Sequence, residues 1–217
     1  TYSGTVTKVH DGDTLFTDKD PTPNGIRLSY GNAPEIDQGT PVSLYAARQM
    51  RDILKNLSLG KAAQVVPSVT QPEQNYDRVF ADVVISGKSM NYEMKRWLPV
   101  DVKILSSPSS ADVYLSGQAE GTNETIANLF VGRTGETMRN IPSGRYVAEL
   151  RKFGYLDEKI SVAVPKSPDT LYTHPGTIAL RKADESRLTP TLDKGKGALF
   201  VRSSPEIGAK IFIDNEF

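Results

Sequence analysis

The first half of the chain is organised around residues 4–17, which read GTVTKVHDGDTLFT. β-Branched residues dominate positions 4–9 and 14–17, whereas positions 10–13 have the composition of a tight turn. The pattern therefore predicts two short strands joined by a turn that ends at Asp13.

The clearest helix of the chain follows a third predicted strand at residues 26–30. Thr40 suits the N-cap position, and Pro41 suits the first helical position. Apolar residues then recur three and four positions apart and form one stripe: Leu44, Ala47, Met50, Leu54 and Leu57. Gly60 supplies the stop of the helix.

Residues 1–98 as a whole predict a small barrel. Two more strands are expected at residues 62–66 and 78–85, and Ser89 is expected to cap a short second helix. Five strands with a helix after the third are typical of an OB-type barrel.

Residues 99–217 have a different pattern, with short alternating segments between turn residues and no convincing helix. Strands are predicted at residues 102–104, 113–115, 146–150 and 160–164. Strands at this spacing favour an antiparallel β-sandwich. The expected fold class is therefore mainly β in two domains, with a five-stranded OB-fold barrel with helices followed by a sandwich.

An internal repeat extends the second half. Residues 102–115 resemble residues 199–213, which predicts a second, truncated copy near the end of the sequence. The polar stretch between the copies lacks apolar periodicity and is interpreted as a linker. Barrel, sandwich, linker and second copy are expected at residues 1–98, 99–181, 182–196 and 197–217.

Composition excludes several classes of site. The 217 residues contain no cysteine and two histidines, which excludes disulfide scaffolds and thiolate zinc sites and disfavours a histidine-rich metal centre. No apolar run approaches the roughly 20 residues of a membrane helix. Basic and acidic residues number 26 each, so any nucleic-acid chemistry has to come from a local site.

Five polar residues of the first half do not fit a simple surface pattern: Asp13, Arg27, Asn32, Glu35 and Arg78. Oxygen atoms on loops at one end of a barrel can hold a hard cation such as Ca²⁺. Two guanidinium groups can grip a phosphodiester, and a glutamate can activate water. Each residue alone also has a simpler interpretation, as a turn residue or a solvated charge, and only the fold can bring the five together.

Three segments of the first half occur in an informative order: HDGDT at residues 10–14, RLSYGNAPE at 27–35 and YDR at 76–78. With a helix between the second and the third, they resemble the signature segments of the staphylococcal nuclease family, and Asn91 resembles its closing segment. The resemblance covers about residues 4–97. It implies calcium-dependent hydrolysis of phosphodiester bonds in single- or double-stranded DNA or RNA.

The resemblance also implies a role for individual residues. The implied calcium ligands are Asp13, Asn32 and the backbone carbonyl of Ala33. The implied catalytic residues are Glu35, as the general base or as the residue that orients the attacking water, with Arg27 and Arg78 as the phosphate clamp. Tyr76, together with both arginines, is implied to contact the substrate.

The sequence departs from the family pattern in three ways. Asn32 is an amide where the family has a second carboxylate, so one negative charge is lost and calcium affinity should fall. Residues 1–98 carry eleven basic and eleven acidic residues, which weakens capture of phosphates. The long closing helix of the family is not evident. A rival hypothesis is therefore a catalytically inactive nuclease-fold module that serves as a binding or structural part of a cell-envelope interaction protein.

The second half is similar to the PEGA repeat of microbial envelope proteins over about residues 100–181. The similarity is carried by VGRT at residues 131–134, RNIPSGRY at 139–146 and KFGY at 152–155, with residues 116–130 as an insertion. It implies a β-sandwich in a secreted or envelope-associated protein whose signal peptide is not in this fragment. The partner would be a cell-wall polymer or an envelope protein, or else the sandwich is only a spacer.

Overall fold

A computed structural model describes residues 1–68, 78–166 and 171–183. The described chain is mainly β, and residues 1–181 form one compact unit. Neither helix in these described ranges combines the length and the apolar character that crossing a membrane requires. Apart from residues 182 and 183, the predicted linker and the predicted second copy lie outside the described residues.

Five strands close into a barrel in the first half. They are β1 (Tyr2–Val9), β2 (Thr14–Thr17), β3 (Ile26–Leu28), β4 (Ala62–Pro67) and β5 (Val79–Ile85). The pairing order is β1-β2-β3-β5-β4 and back to β1, with β3 and β5 parallel and the other pairs antiparallel. The predicted five-stranded barrel is confirmed. A two-residue strand β6 (Lys88–Ser89), which the sequence did not predict, pairs with β5.

Both predicted helices form, and each begins at the predicted cap. In α1 (Pro41–Ser58) the Thr40 hydroxyl oxygen accepts from the Ser43 N–H at 3.3 Å. In α2 (Met90–Lys95) the Ser89 hydroxyl oxygen accepts from the Tyr92 N–H at 3.2 Å. Gly60 follows α1 with a φ of +75°, a left-handed conformation that favours glycine and turns the chain into β4.

Two sheets enclose a second apolar core in the second half. The three-stranded sheet has the order β10-β7-β13, and the four-stranded sheet has the order β12-β11-β8-β9. Their bounds in chain order are β7 Val100–Ser107, β8 Asp112–Ala119, β9 Thr125–Arg133, β10 Thr137–Ile141, β11 Gly144–Arg151, β12 Glu158–Val164 and β13 Tyr172–Ala179. β13 runs parallel to β7, in contrast to the antiparallel prediction, because the chain crosses from one sheet to the other between β12 and β13.

Helix α1 contributes to both cores. Its residues Met50 and Leu54 are fully buried in the barrel, whereas Val42 is buried in the core of the second half. Gln49, which is 0% exposed, donates from Nε2 to the backbone oxygens of Glu120 at 2.9 Å and Ser143 at 2.8 Å. The helix therefore joins the barrel to the turns between β8 and β9 and between β10 and β11, through hydrogen bonds as well as apolar contact.

Candidate metal and phosphate site

Asp13 is the last residue of the predicted turn and lies immediately before β2. Its side chain is 2% exposed, and its Oδ1 accepts from the Thr14 hydroxyl at 2.9 Å. Its backbone oxygen accepts from the Leu28 N–H at 2.7 Å, which ties the turn to β3. A carboxylate of this kind is held by the barrel framework rather than by a free loop.

Arg27 reaches Asp13 from the neighbouring strand. Thr14 and Arg27 are paired across β2 and β3, so the side chain next to Thr14 in sequence comes close to the guanidinium. Arg27 Nη2 lies 3.0 Å from Asp13 Oδ2 and donates to Asn32 Oδ1 at 3.1 Å. One cationic nitrogen therefore lies between two oxygens that the sequence analysis assigned to calcium.

The loop after β3 is fastened to the same turn. The Ala33 N–H donates to Asp13 Oδ2 at 3.0 Å, and the Tyr30 hydroxyl donates to the Gly12 backbone oxygen at 2.8 Å. Burial raises the pKa of Tyr30 well above its usual range, and the charges of Asp13 and Asp11 add to this rise, so the phenol stays a donor. These bonds place Asn32 beside Arg27.

The sequence analysis missed two residues that shape the site, Asp11 and Tyr30. Asp11 is 4% exposed, and its Oδ1 accepts from the Asp13 N–H at 3.1 Å. Gly12, between Asp11 and Asp13, packs so closely on α1 that a Cβ at this position would lie 2.6 Å from the Cβ of Met50. The signal available in the sequence was the pair of carboxylates, Asp11 and Asp13, on either side of Gly12. The composition of a tight turn was a sufficient explanation for this pair, so Asp11 was not singled out.

The charge of Asp13 is costly in this environment. Burial, together with the negative charge of Asp11, raises the pKa of Asp13 to about 6. The Ala33 N–H and the Arg27 guanidinium act in the opposite direction without cancelling the rise. Desolvation therefore outweighs the ion pair, and Asp13 binds a proton more readily than an exposed aspartate.

Asp11→Asn should stabilise the protein in a pH-dependent way. In the native protein the pKa of Asp13 is about 6, which is above its value in the unfolded chain. Protonation of Asp13 therefore favours folding at low pH, and this contribution to stability is lost as pH rises through about 6. Removing the Asp11 charge lowers the cost of ionising Asp13. The gain in free energy of unfolding over wild type should therefore grow to about 1 kcal/mol between about pH 4.5 and about pH 7.5.

Urea denaturation at both pH values measures this gain. Asp37→Asn, which removes an exposed charge from the loop after β3, serves as the control and should show a much smaller change. A gain for Asp11→Asn that is the same at both pH values would contradict the like-charge account.

The remaining predicted residues are placed less closely. Glu35 is exposed on the loop after β3, and within the described ranges its carboxylate has no hydrogen-bond or ion-pair partner. Arg78 is half-buried just before β5; by strand alternation it lies on the face that carries Arg27, which pairs with Phe80. Tyr76 lies outside the described residues. The structure thus brings together Asp13, Arg27 and Asn32.

The donor atoms of this cluster suit a hard cation chemically. Asp13 and Asn32 offer side-chain oxygens, which Ca²⁺ prefers, and the position between them already holds a positive nitrogen. Asn32 is neutral, and the described residues contain no group of three or more histidine, cysteine, aspartate or glutamate side chains that could hold a metal. The residues therefore fit calcium in kind, with a small anionic charge.

No protein-family model matches the chain. A search of the curated proteins finds no significant match either.

Proposed function

We propose that the barrel hydrolyses phosphodiester bonds of DNA or RNA in a calcium-dependent reaction. The observation that carries the proposal is the convergence of Asp13, Arg27 and Asn32 at one end of the barrel, with both side-chain oxygens on one guanidinium. Oxygen ligands and arginine side by side are what binding of a metal and a phosphate requires.

The connections of the barrel support the OB-type interpretation on which this proposal rests. The closing order β1-β2-β3-β5-β4, with α1 between β3 and β4, is that of a small Greek-key barrel. In the same way, two sheets around one core support the sandwich interpretation of the second half.

The proposed chemistry assigns one task to each residue. Glu35 accepts a proton from the attacking water, whose oxygen bonds to phosphorus as the bond to the leaving oxygen breaks. The leaving oxygen takes its proton from solvent. Arg27 and Arg78 stabilise the negative charge on the phosphate oxygens, with Tyr76 beside the bound strand. Asp13, Asn32 and the Ala33 carbonyl would hold calcium, which supplies further charge stabilisation when bound.

A second candidate function is a nuclease-fold module that binds without cutting. One specific observation favours it: the Arg27 guanidinium occupies the oxygens of both Asp13 and Asn32. An ion pair of this kind stabilises the loop without any metal. In this alternative the barrel is a binding or structural part of an envelope interaction protein.

Asn32→Asp distinguishes the two functions. If the barrel is a calcium enzyme, the added carboxylate should tighten calcium binding by about tenfold and preserve or raise cleavage. If the barrel is a binding module, neither property should change. Calcium titration by calorimetry and a cleavage assay on single-stranded DNA measure the two effects. Asn123→Asp, in the second half, controls for the added charge, and an Asn32→Asp protein that binds no calcium would contradict the enzyme.

For the second half we propose a place at or outside a microbial cell envelope. A cell-wall polymer or an envelope protein would be the partner of the sandwich. This part of the proposal rests on the PEGA resemblance of residues 100–181, and it does not depend on catalysis by the barrel.

A further inference from the structure

Arg27 is in an unusual position for a residue that is expected to grip phosphate. Its Nη2 is 3.0 Å from Asp13 Oδ2 and 3.1 Å from Asn32 Oδ1. Calcium binds its oxygen ligands at about 2.3–2.6 Å. An ion bound between these two oxygens would lie close to the Arg27 nitrogen, so the two cations compete for the same oxygens.

The charges of the cluster point the same way. Asp11 and Asp13 are buried carboxylates, Asn32 is neutral, and Arg27 is the basic group that contacts Asp13. In a cluster with so little negative charge, a divalent ion and a guanidinium a few ångströms apart repel each other strongly. Binding of calcium at the oxygens of Asp13 and Asn32 therefore favours release of the Arg27 guanidinium from them.

The Arg27 side chain also has room to move away from Asp13 and Asn32. Its side chain is 17% exposed, whereas that of Asp13 is 2% exposed, so Arg27 has more access to solvent than the carboxylate that it contacts. Arg27 pairs with Phe80 across β3 and β5, and Arg78 lies two residues before Phe80, so strand alternation predicts that Arg27 and Arg78 share a face. A phosphate on that face would receive the displaced guanidinium.

We propose that Arg27 is a built-in competitor of calcium, which occupies Asp13 and Asn32 in the metal-free protein and turns to the phosphodiester when calcium binds. This inference rests on the proposed function and adds its regulation: calcium and phosphodiester binding help each other because both pull Arg27 the same way. The coupling is reciprocal, so each ligand should raise the affinity for the other by the same factor.

Arg27→Gln tests the competition directly. Glutamine keeps a hydrogen-bond donor near Asp13 and removes the positive charge. By calorimetry, Arg27→Gln should bind calcium about tenfold more tightly than wild type. Arg96→Gln, which removes an arginine that is 57% exposed on α2, should leave calcium affinity within about twofold. Unchanged or weaker calcium binding by Arg27→Gln would overturn the inference.

A second measurement tests the turn towards phosphate. Phosphorothioate-linked dithymidine, which resists cleavage, should raise the calcium affinity of wild type by about fivefold or more, and this gain should disappear in Arg27→Gln. In wild type, calcium should also shift the side-chain Nε–H resonance of Arg27 in NMR spectra, an observation that does not depend on the variant's folding. A gain in affinity that persists in Arg27→Gln, or an unmoved Arg27 resonance, would overturn the inference.

The result also separates this inference from the proposed function. Calcium-dependent cleavage by wild type, with no tightening in Arg27→Gln, would leave the nuclease intact and remove the competition. A wild-type protein that neither binds calcium nor cleaves DNA would remove both.

Discussion

Glu35→Ala should lower the rate of phosphodiester cleavage by about 10²–10⁴-fold while leaving calcium affinity within about twofold. The glutamate is exposed on the loop after β3 and lies outside the hydrogen-bonded cluster of Asp13, Arg27 and Asn32. Its removal therefore affects proton transfer from water without dismantling the proposed metal site. A fluorescent single-stranded DNA substrate measures cleavage, and calorimetry measures calcium binding.

Asp37→Ala is the matched control for Glu35→Ala. Asp37 is an exposed carboxylate on the same loop, so its removal changes the local charge equally without touching the proposed base. Cleavage by Asp37→Ala should stay within about threefold of wild type. Wild-type cleavage by Glu35→Ala, or an equal loss in both variants, would contradict the role given to Glu35.

Gln49→Leu should destabilise the whole compact unit by about 2 kcal/mol. The amide nitrogen of Gln49 donates to the backbone oxygens of Glu120 and Ser143 and to the Ser143 hydroxyl, at 2.9, 2.8 and 3.3 Å. Leucine fills much of the volume but leaves the Glu120 oxygen without this donor. The gain from removing Gln49 Oε1, a buried atom with no described partner, offsets only part of that cost.

Urea denaturation followed by Trp97 fluorescence measures the change in free energy of unfolding, with a probe at the junction between α1 and the second half. Trp97, the single tryptophan, lies at the same junction: Lys166 Nζ is 4.0 Å from its ring centroid, and a Cβ on Gly121 would be 3.0 Å from its Cη2. Gln64→Leu, at an exposed position of β4, is the control and should change stability by less than about 0.5 kcal/mol. Equal stability of Gln49→Leu and wild type would show that the junction is not coupled energetically.

The barrel was predictable because its signals are local. Strand alternation, the Thr40 and Ser89 caps and the stop at Gly60 each act within a few residues, and the structure has the five strands and both helices where they point. The role of Gln49 was not predictable. A buried amide in a helix acquires its meaning from partners more than seventy residues away in sequence.

The second half was predicted less completely, for a physical reason. Strands β9, β10 and β13 were missed, since their sequences lack clean alternation and β13 contains Pro175 and Gly176. They form because neighbouring strands supply the hydrogen bonds, which overrides local preference. Part of β9 lies in the segment interpreted as an insertion, residues 116–130, and the turn before β9 is the part that reaches α1.

The candidate site divides in the same way. The resemblance of residues 10–14 and 27–35 to family segments selected Asp13, Arg27 and Asn32, and in the structure Arg27 contacts the other two. The choice of Arg27 as the partner of both oxygens was not predictable, because it depends on the loop position fixed by the Tyr30 and Ala33 hydrogen bonds. The roles of Asp13, Arg27 and Asn32 stay predictions, as do those of Ala33, Glu35, Tyr76 and Arg78.

Calcium titration of single-stranded DNA cleavage by the wild-type protein tests the central claim most directly. The account predicts cleavage that rises with calcium into the millimolar range, stops when a chelator is added and is lost in Glu35→Ala. The absence of both calcium binding and cleavage at millimolar calcium would contradict the central claim. The barrel would then be a binding module whose Asp13–Arg27 ion pair serves stability alone.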